Sequence, residues 1–250
     1  MFELDGHVAL VTGAGQNMGA GAARALAAQG AAVAVNDLVA GRAEAVRDEI
    51  EAAGGKAVAV PFDVLDPDAV RAGVAAAGEA FGHPVDILVN NAGIHSDMVA
   101  RPFRALDPAL WRGPVDINIF GSLHCIHAVI ENMVSAHWGR VIQISSGAGR
   151  TGLAIGVALY GAGKSGIEGF VRHLSQEVAK EGITANTLAL GMMDNSTENP
   201  DVTRALAGMV PTGRLGTPTD VGAAVVFLAA EETSWLTGQT INLNGGSTMN

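Results

Sequence analysis

Tyr160 and Lys164 stand four residues apart, and Ser146 lies upstream of them. A phenol and an ammonium at i and i+4 share one helix face, with Cβ atoms about 5–6 Å apart. There the ammonium is expected to pull down a phenol pKa whose ordinary value is about 10. A phenol tuned in this way exchanges protons near neutral pH. Paired with a Gly-rich turn near the start of the chain, it points to redox chemistry between an alcohol and a carbonyl. Hydride then moves between the alcohol carbon and a nicotinamide, while the protein supplies position and proton transfer. Ser146 reads as a hydrogen-bond donor to the developing alkoxide rather than as a nucleophile. The Gly-x-Ser-x-Gly turn of a Ser/His/Asp hydrolase does not surround it.

Such groups need rigid supports, and the chain alternates between two kinds. Short β-rich runs recur at Val8–Thr12, Ala32–Asn36, Ala57–Phe62, Asp86–Asn90, Arg140–Ser145, Ile183–Ala189 and Thr240–Leu243. Between them lie Ala-rich stretches with helical spacing: Ala20–Gln29, Arg42–Ala53, Asp68–Ala80, Val115–Ala136, Ala162–Lys180 and Thr219–Ala230. Near-continuous apolar strands alternating with helices imply an α/β fold, a doubly wound, Rossmann-like parallel sheet of about seven strands with helices on both faces. No linker, repeat or low-complexity segment divides residues 1–250, so one domain is expected. Gly191–Thr217, rich in Met, Asn, Pro and Gly, reads as an irregular lid over the substrate.

The first unit carries a cofactor signal. Thr12-Gly13-Ala14-Gly15-Gln16-Asn17-Met18-Gly19 follows a strand and opens a helix. Glycines permit a tight turn and close backbone approach, and the helix N-terminus favours phosphate. Asp37 ends the second strand, where a carboxylate accepts hydrogen bonds from adenosine ribose hydroxyls and repels a 2′-phosphate. Its neighbours Asn36, Leu38 and Gln16 offer no cation to that phosphate. NAD is therefore expected rather than NADP.

Composition removes other classes. The formal net charge of −10 argues against a nucleic-acid partner. No apolar run approaches the roughly 20 residues of a membrane helix. Met1–Gly6 lacks the features of a secretory signal, and Cys125 has no other cysteine to pair with, so a cytoplasmic setting is expected. His124 and His127 flank Cys125 on a helix without a carboxylate at matching spacing, so no metal site is expected. Trp111, Trp138 and Trp235 read as packing. Met192 and Met193 suit either filler or an adaptable pocket wall, and His95 and Asp97 either substrate contact or a solvated loop. Asn195-Ser196-Thr197 is formally a glycosylation acceptor, which an unexported chain would never use.

Taken together, these residues resemble the short-chain dehydrogenase/reductase family along essentially the whole chain. The likeness adds Asp63-Val64 after the third strand, Asn90-Asn91-Ala92-Gly93 after the fourth, Asn118 in the long helix, and the end from Thr237-Gly238-Gln239 to Gly245-Gly246. The resemblance implies that Tyr160 is the general acid/base and that Lys164 binds nicotinamide ribose while lowering the tyrosine pKa. It further implies that Ser146 bonds the substrate oxygen and that Asn118 holds a water in a proton relay. It places Gly13, Gln16, Asn17, Met18, Gly19, Asp37, Asp63, Val64, Asn90, Ala92, Gly93, Tyr160, Lys164, Gly191 and Met193 at the cofactor. Departures are Asn17 for the middle glycine of the turn, Leu190-Gly191 for a Pro-Gly, and Asn195 for a threonine. One extra residue between Ser146 and Tyr160 raises Ser145 as a rival hydroxyl, although the strand register favours Ser146. The implied activity is NAD-dependent interconversion of a small or medium secondary alcohol and its ketone, in a homotetramer paired through the helices at 114–136 and 162–180. The rivals are an acyl-carrier-protein ketoreductase, disfavoured because Glu131–Trp138 has no Lys or Arg for an acidic partner, and a non-catalytic dinucleotide sensor.

Overall fold

A computed structural model describes residues 1–94, 98–194 and 199–249. Seven parallel strands, β1 (Val8–Val11), β2 (Ala32–Val35), β3 (Lys56–Ala59), β4 (Ile87–Asn90), β5 (Gly139–Ser146), β6 (Ile183–Leu190) and β7 (Thr240–Leu243), form one sheet in the order 3-2-1-4-5-6-7. Successive side chains of a strand point to opposite faces, and each face here has its own core. Ala9 and Val11 join one core with helices α1 (Asn17–Ala28), α2 (Ala40–Ala52) and α8 (Pro218–Ala229). Val8 and Leu10 join the other with α3 (Pro67–Phe81), α5 (Phe120–Ala136) and α6 (Ala158–Val178). This explains the near-continuous apolar runs: a strand covered on both sides has no polar face to show. Leu10 is 0% exposed, and truncating it to Ala would cost about 2–5 kcal/mol.

The sheet order reverses direction between β1 and β4, which pair directly through Ala9–Ile87, Leu10–Leu88 and Val11–Val89. The crossovers from these strands leave on opposite faces, so a crevice opens beyond their C-terminal ends, the usual ligand position in open parallel sheets.

Most elements start or end one to four residues from the expected positions, and three differences bear on the site. The expected helix Val115–Ala136 is two helices: α4 (Arg112–Asn118) ends at Ile119, where ψ of −71° breaks the run before α5 begins. Asn118 Nδ2 donates to the Pro114 carbonyl one turn back and to the Gly93 carbonyl outside the helix; a side chain competing for backbone partners bends a helix in this way. The segment 191–217 is not wholly irregular, because α7 (Pro200–Ala207) lies inside it. Asn199 caps that helix through the Asp201 and Val202 amides, with Pro200 at its first position. Finally, β3 ends at Ala59 rather than Phe62, and the Val60 and Phe62 carbonyls accept instead from Asn36 Nδ2.

Candidate active site

The Gly-rich turn joins β1 to α1 at the crevice. Gly13 takes φ of +58°, and Asn17, the first residue of α1, takes φ of +49°. Asparagine enters that left-handed region more readily than most residues, so the departure at position 17 keeps the turn. Gly19 lets the helix close on the turn: a methyl group there would lie 2.4 Å from the Gly13 carbonyl oxygen and 2.5 Å from Asn91 Nδ2. Thr12 and Asn91 bind the turns after β1 and β4 together. Thr12 Oγ1 accepts from the Asn91 and Ala92 amides, and Asn91 Nδ2 donates to the Thr12 and Gly13 carbonyls.

A cavity of about 450 Å³ follows, walled by Gly13, Gln16, Asn17, Met18, Gly19, Asp37, Asp63, Val64, Ala92 and Gly93 among others. Ten of the expected cofactor residues therefore share one cavity. Asn90 does not: it is buried behind the wall and donates to the Ser122 carbonyl, while its neighbour Asn91 lines the cavity. Gly191 and Met193 lie further along the sheet edge. Gly191 pairs with the Leu243 carbonyl just past Leu190, the register partner of Ser146, and Met193 bridges to Gly216. A larger cavity, about 650 Å³, lies near Arg71, His83 and His127, and none of Asn118, Ser146, Tyr160 or Lys164 lines it.

At the adenosine end Asp37 is 7% exposed and accepts from the Gly15 and Val39 amides. A methyl group on Gly15 would meet Asp37 Oδ2 at 2.7 Å and Arg42 Cβ at 2.5 Å. Arg42 thus stands beside Asp37 on the cavity wall. The sequence reading missed it because it searched the immediate neighbours of Asp37, whereas α2 brings back a residue one turn on.

The proton-transfer groups gather where β5, α4 and α6 meet. Ser146 ends β5; its Oγ accepts from the Ala148 amide at 3.2 Å, and its hydroxyl acts on Tyr160 in the direction that lowers the phenol pKa. Lys164 is 2% exposed and donates to the Ile144 carbonyl at 2.8 Å, with its ammonium 5.7 Å from the Tyr160 ring centre. Asn118 is 0% exposed, and its Oδ1 is buried without a partner among the described residues. A methyl group on Gly93 would lie 2.6 Å from Asn118 Oδ1 and 2.7 Å from Lys164 Nζ, so the two flank one point on the cavity rim. All four expected catalytic residues thus converge. Ser145 turns away from Tyr160 and donates to Glu168.

One expectation is corrected. Burial raises the Tyr160 phenol above its ordinary value, and the Ser146 hydrogen bond opposes that rise. Lys164 is itself pushed down to about 8 by burial, with Glu168 pulling it back up. Among this chain's own groups, the donor that favours tyrosinate is the serine. Elsewhere, burial pushes the Cys125 thiol up to about 12, and His124 Nδ1 bonds the Val64 carbonyl. His95, Asp97 and Asn195-Ser196-Thr197 lie outside the described residues.

A parallel sheet with a Gly-rich turn between β1 and α1, and a Ser, Tyr, Lys and Asn at its crevice, defines a dinucleotide-dependent oxidoreductase. Residues 7–205 match the family model for the short chain dehydrogenase, and the chain belongs to that family. It is 38% identical over 252 residues to a 3-oxoacyl-[acyl-carrier-protein] reductase of Synechocystis, covering 100% of both chains. A putative short-chain alcohol dehydrogenase from Sinorhizobium meliloti superposes with a TM-score of 0.90 at 35% identity, covering 98% of each chain. A 3-oxoacyl-[acyl-carrier protein] reductase from Brucella melitensis, solved with bound NAD, gives 0.90 at 34% identity, covering 100% of this chain and 94% of that one. No helix among the described residues is long and apolar enough to cross a membrane.

Proposed function

We propose that this chain uses NAD to interconvert a secondary alcohol and its ketone, with Tyr160 as the general acid/base. The observation that carries the reading is the gathering of the Ser146 hydroxyl, its oxygen held by the Ala148 amide, and the buried Lys164 ammonium around Tyr160. The fit of a dinucleotide rests on the cavity walled by the Gly-rich turn, where Gly13 takes a left-handed φ and side chains at Gly15 and Gly19 would collide with Arg42 and Asp37 and with the Gly13 carbonyl. Bound there, the nicotinamide supplies the hydride acceptor or donor.

The residues divide the remaining work. Ser146, whose own oxygen is satisfied by the Ala148 amide, directs its proton at the oxygen of the reacting carbon and steadies negative charge as it develops. Tyr160 removes the hydroxyl proton during oxidation and returns it during reduction. An ammonium has three protons to donate, and among the described residues only the Ile144 carbonyl accepts from Lys164. The others are left for the cofactor ribose and for tyrosinate as it forms. Asn118 Oδ1 offers a buried acceptor through which a water would carry the Tyr160 proton outward.

NAD is preferred over NADP because Asp37 fixes negative charge at the adenosine end. The exposed Arg42 beside it reduces that preference without reversing it, since Asp37 is buried and anchored and Arg42 is in water. The test is NAD reduction across a panel of secondary alcohols, with NADP in parallel. Turnover with some member of the panel is expected; none with any alcohol or ketone would refute the reading.

A second reading, reduction of a 3-oxoacyl thioester on a carrier protein, is supported by the full-length likeness to the Synechocystis reductase. It uses the same four groups. A β-keto thioester on acyl carrier protein reduced much faster than free ketones of similar size would select it.

A further inference from the structure

Glu168 is 2% exposed, on α6 one turn beyond Lys164, and neither motif nor family likeness drew attention to it. A buried carboxylate is costly unless its oxygens are satisfied. Those of Glu168 are divided between two elements: Oε1 accepts from Ser145 Oγ at the end of β5, and Oε2 pairs with Arg150 at 3.3 Å. The turn carrying Arg150 is drawn onto the helix. A methyl group on Gly149 would lie 3.0 Å from both Glu168 Oε1 and Lys164 Cβ, and Ser165 Oγ donates to the Gly149 carbonyl. Tyr160, Lys164 and Glu168 follow one another at four-residue spacing, so they share a helix face. Ser145 and Ser146 are consecutive, so anchoring the first sets the rotation of the strand end and the direction of the second.

We propose that Glu168 is a positioning residue for the reaction: by holding Ser145 and Arg150 it aims Ser146 at Tyr160, and its charge keeps the neighbouring Lys164 an ammonium. The extra residue between Ser146 and Tyr160 is then absorbed in a turn that this carboxylate ties to α6. Burial favours neutral Lys164, and Glu168 opposes that. Among the described residues the other titratable or charged groups facing this pocket are Tyr160 on α6 and Arg150 on the turn. The Arg112–Asp116 pair of α4 is engaged with itself, and β6 has no titratable residue. Paired with Glu168 Oε2, the Arg150 cation would offset part of that negative charge at Lys164.

The kinetic part rests on the function proposed above, so the test has one arm that needs no substrate. The chain has three lysines, Lys56, Lys164 and Lys180, so NMR of ε-¹³C-lysine resolves the Lys164 titration directly. In Glu168→Gln its midpoint should fall by about one pH unit, and in Glu168→Asp it should return toward wild type. In Arg150→Met it should rise, because the offsetting cation is gone. With any alcohol the wild type oxidises, Glu168→Gln should lower kcat by about tenfold or more with little change in KM for NAD, and should bring the alkaline fall of kcat to lower pH. An unmoved Lys164 midpoint in Glu168→Gln, or wild-type kcat with only a lowered melting temperature, would overturn the proposal. Should Glu168→Gln fail to fold, Arg150→Met decides: a raised midpoint with reduced kcat supports it, and unchanged values of both refute it. A wild type inactive on every alcohol would instead count against the function, leaving the titration to judge the placement of Glu168.

Discussion

Two buried cations stand at opposite ends of β5, and they are treated differently. Arg140 and Lys164 are 1% and 2% exposed, and burial lowers the pKa of both. Arg140, at the start of the strand, is saturated. Its guanidinium pairs with Glu231 at 2.8 Å, lies 4.3 Å from the centre of the Trp138 ring, and donates to the Gly139 and Gly182 carbonyls. His7 stacks on the same tryptophan and bonds Asp86, so this end of the sheet is closed by mutual contacts. Lys164, at the other end, has among the described residues one accepting carbonyl and a carboxylate a turn away. A fully satisfied buried charge holds structure in place; an incompletely satisfied one is available for work, and perturbed groups of that kind mark functional sites.

Substitutions at the two cations should break this comparison in opposite ways. Lys164→Met should lower kcat by about 10²–10³-fold while leaving the fold at least as stable. Folding lowers the Lys164 pKa from 10.5 to about 8, so at neutral pH the ammonium costs about 3 kcal/mol. Arg140→Ala should do the reverse, lowering stability by about 3 kcal/mol through lost hydrogen bonds and packing, with kcat per folded molecule unchanged. Thermal melts beside initial rates separate the outcomes.

The paired serines sharpen it. Ser146→Ala should lower kcat by about 10²–10³-fold with cofactor binding intact, whereas Ser145→Ala acts through Glu168 and should cost less. Tyr160 is the only tyrosine, so tyrosinate absorbance reports it alone. Because Ser146 lowers its pKa, Ser146→Ala should raise the midpoint further; a fall would mean that the two hydroxyls are not bonded.

The linkage at Lys164 gives a slower trend with pH. From about pH 8 to 10.5 the unfolded chain holds a proton on this lysine that the fold has released, so its contribution to stability rises with pH across that window. Cys125, raised from 9.0 to about 12, opposes this above pH 9 because there the fold retains a proton that the unfolded chain loses. The difference between wild type and Lys164→Met isolates the lysine: the variant's relative advantage should shrink as pH rises from 8. At the adenosine end the effect is smaller still. NAD should exceed NADP in kcat/KM by at least about tenfold, or about 1.4 kcal/mol. Asp37→Ala should narrow that ratio, and Arg42→Ala should widen it by weakening NADP.

The same contrast explains what could be read without coordinates. The strands were legible because burial on both faces leaves an apolar run with no alternation, and the Tyr160–Lys164 pair because helix spacing is local. The break after Asn118 was not, since no proline marks it within Val115–Ala136 and the bend depends on a hydrogen bond to Gly93, 25 residues away. α7 is legible in retrospect, because Asn199-Pro200 is a helix-start signal inside the otherwise irregular segment. Asn91, Arg42 and Glu168 depend on partners that only the fold brings near. The direction of the Tyr160 shift was missed because charge is visible in a sequence and desolvation is not.

The central claim is that Tyr160 moves the proton that accompanies hydride transfer, and one substitution tests it most directly. With an alcohol that the wild type oxidises, the rate of NADH formation in Tyr160→Phe should fall by about 10²–10⁴-fold, because the ring stays while the exchanging oxygen is removed. Turnover within a few-fold of wild type, at unchanged cofactor affinity, would contradict the account.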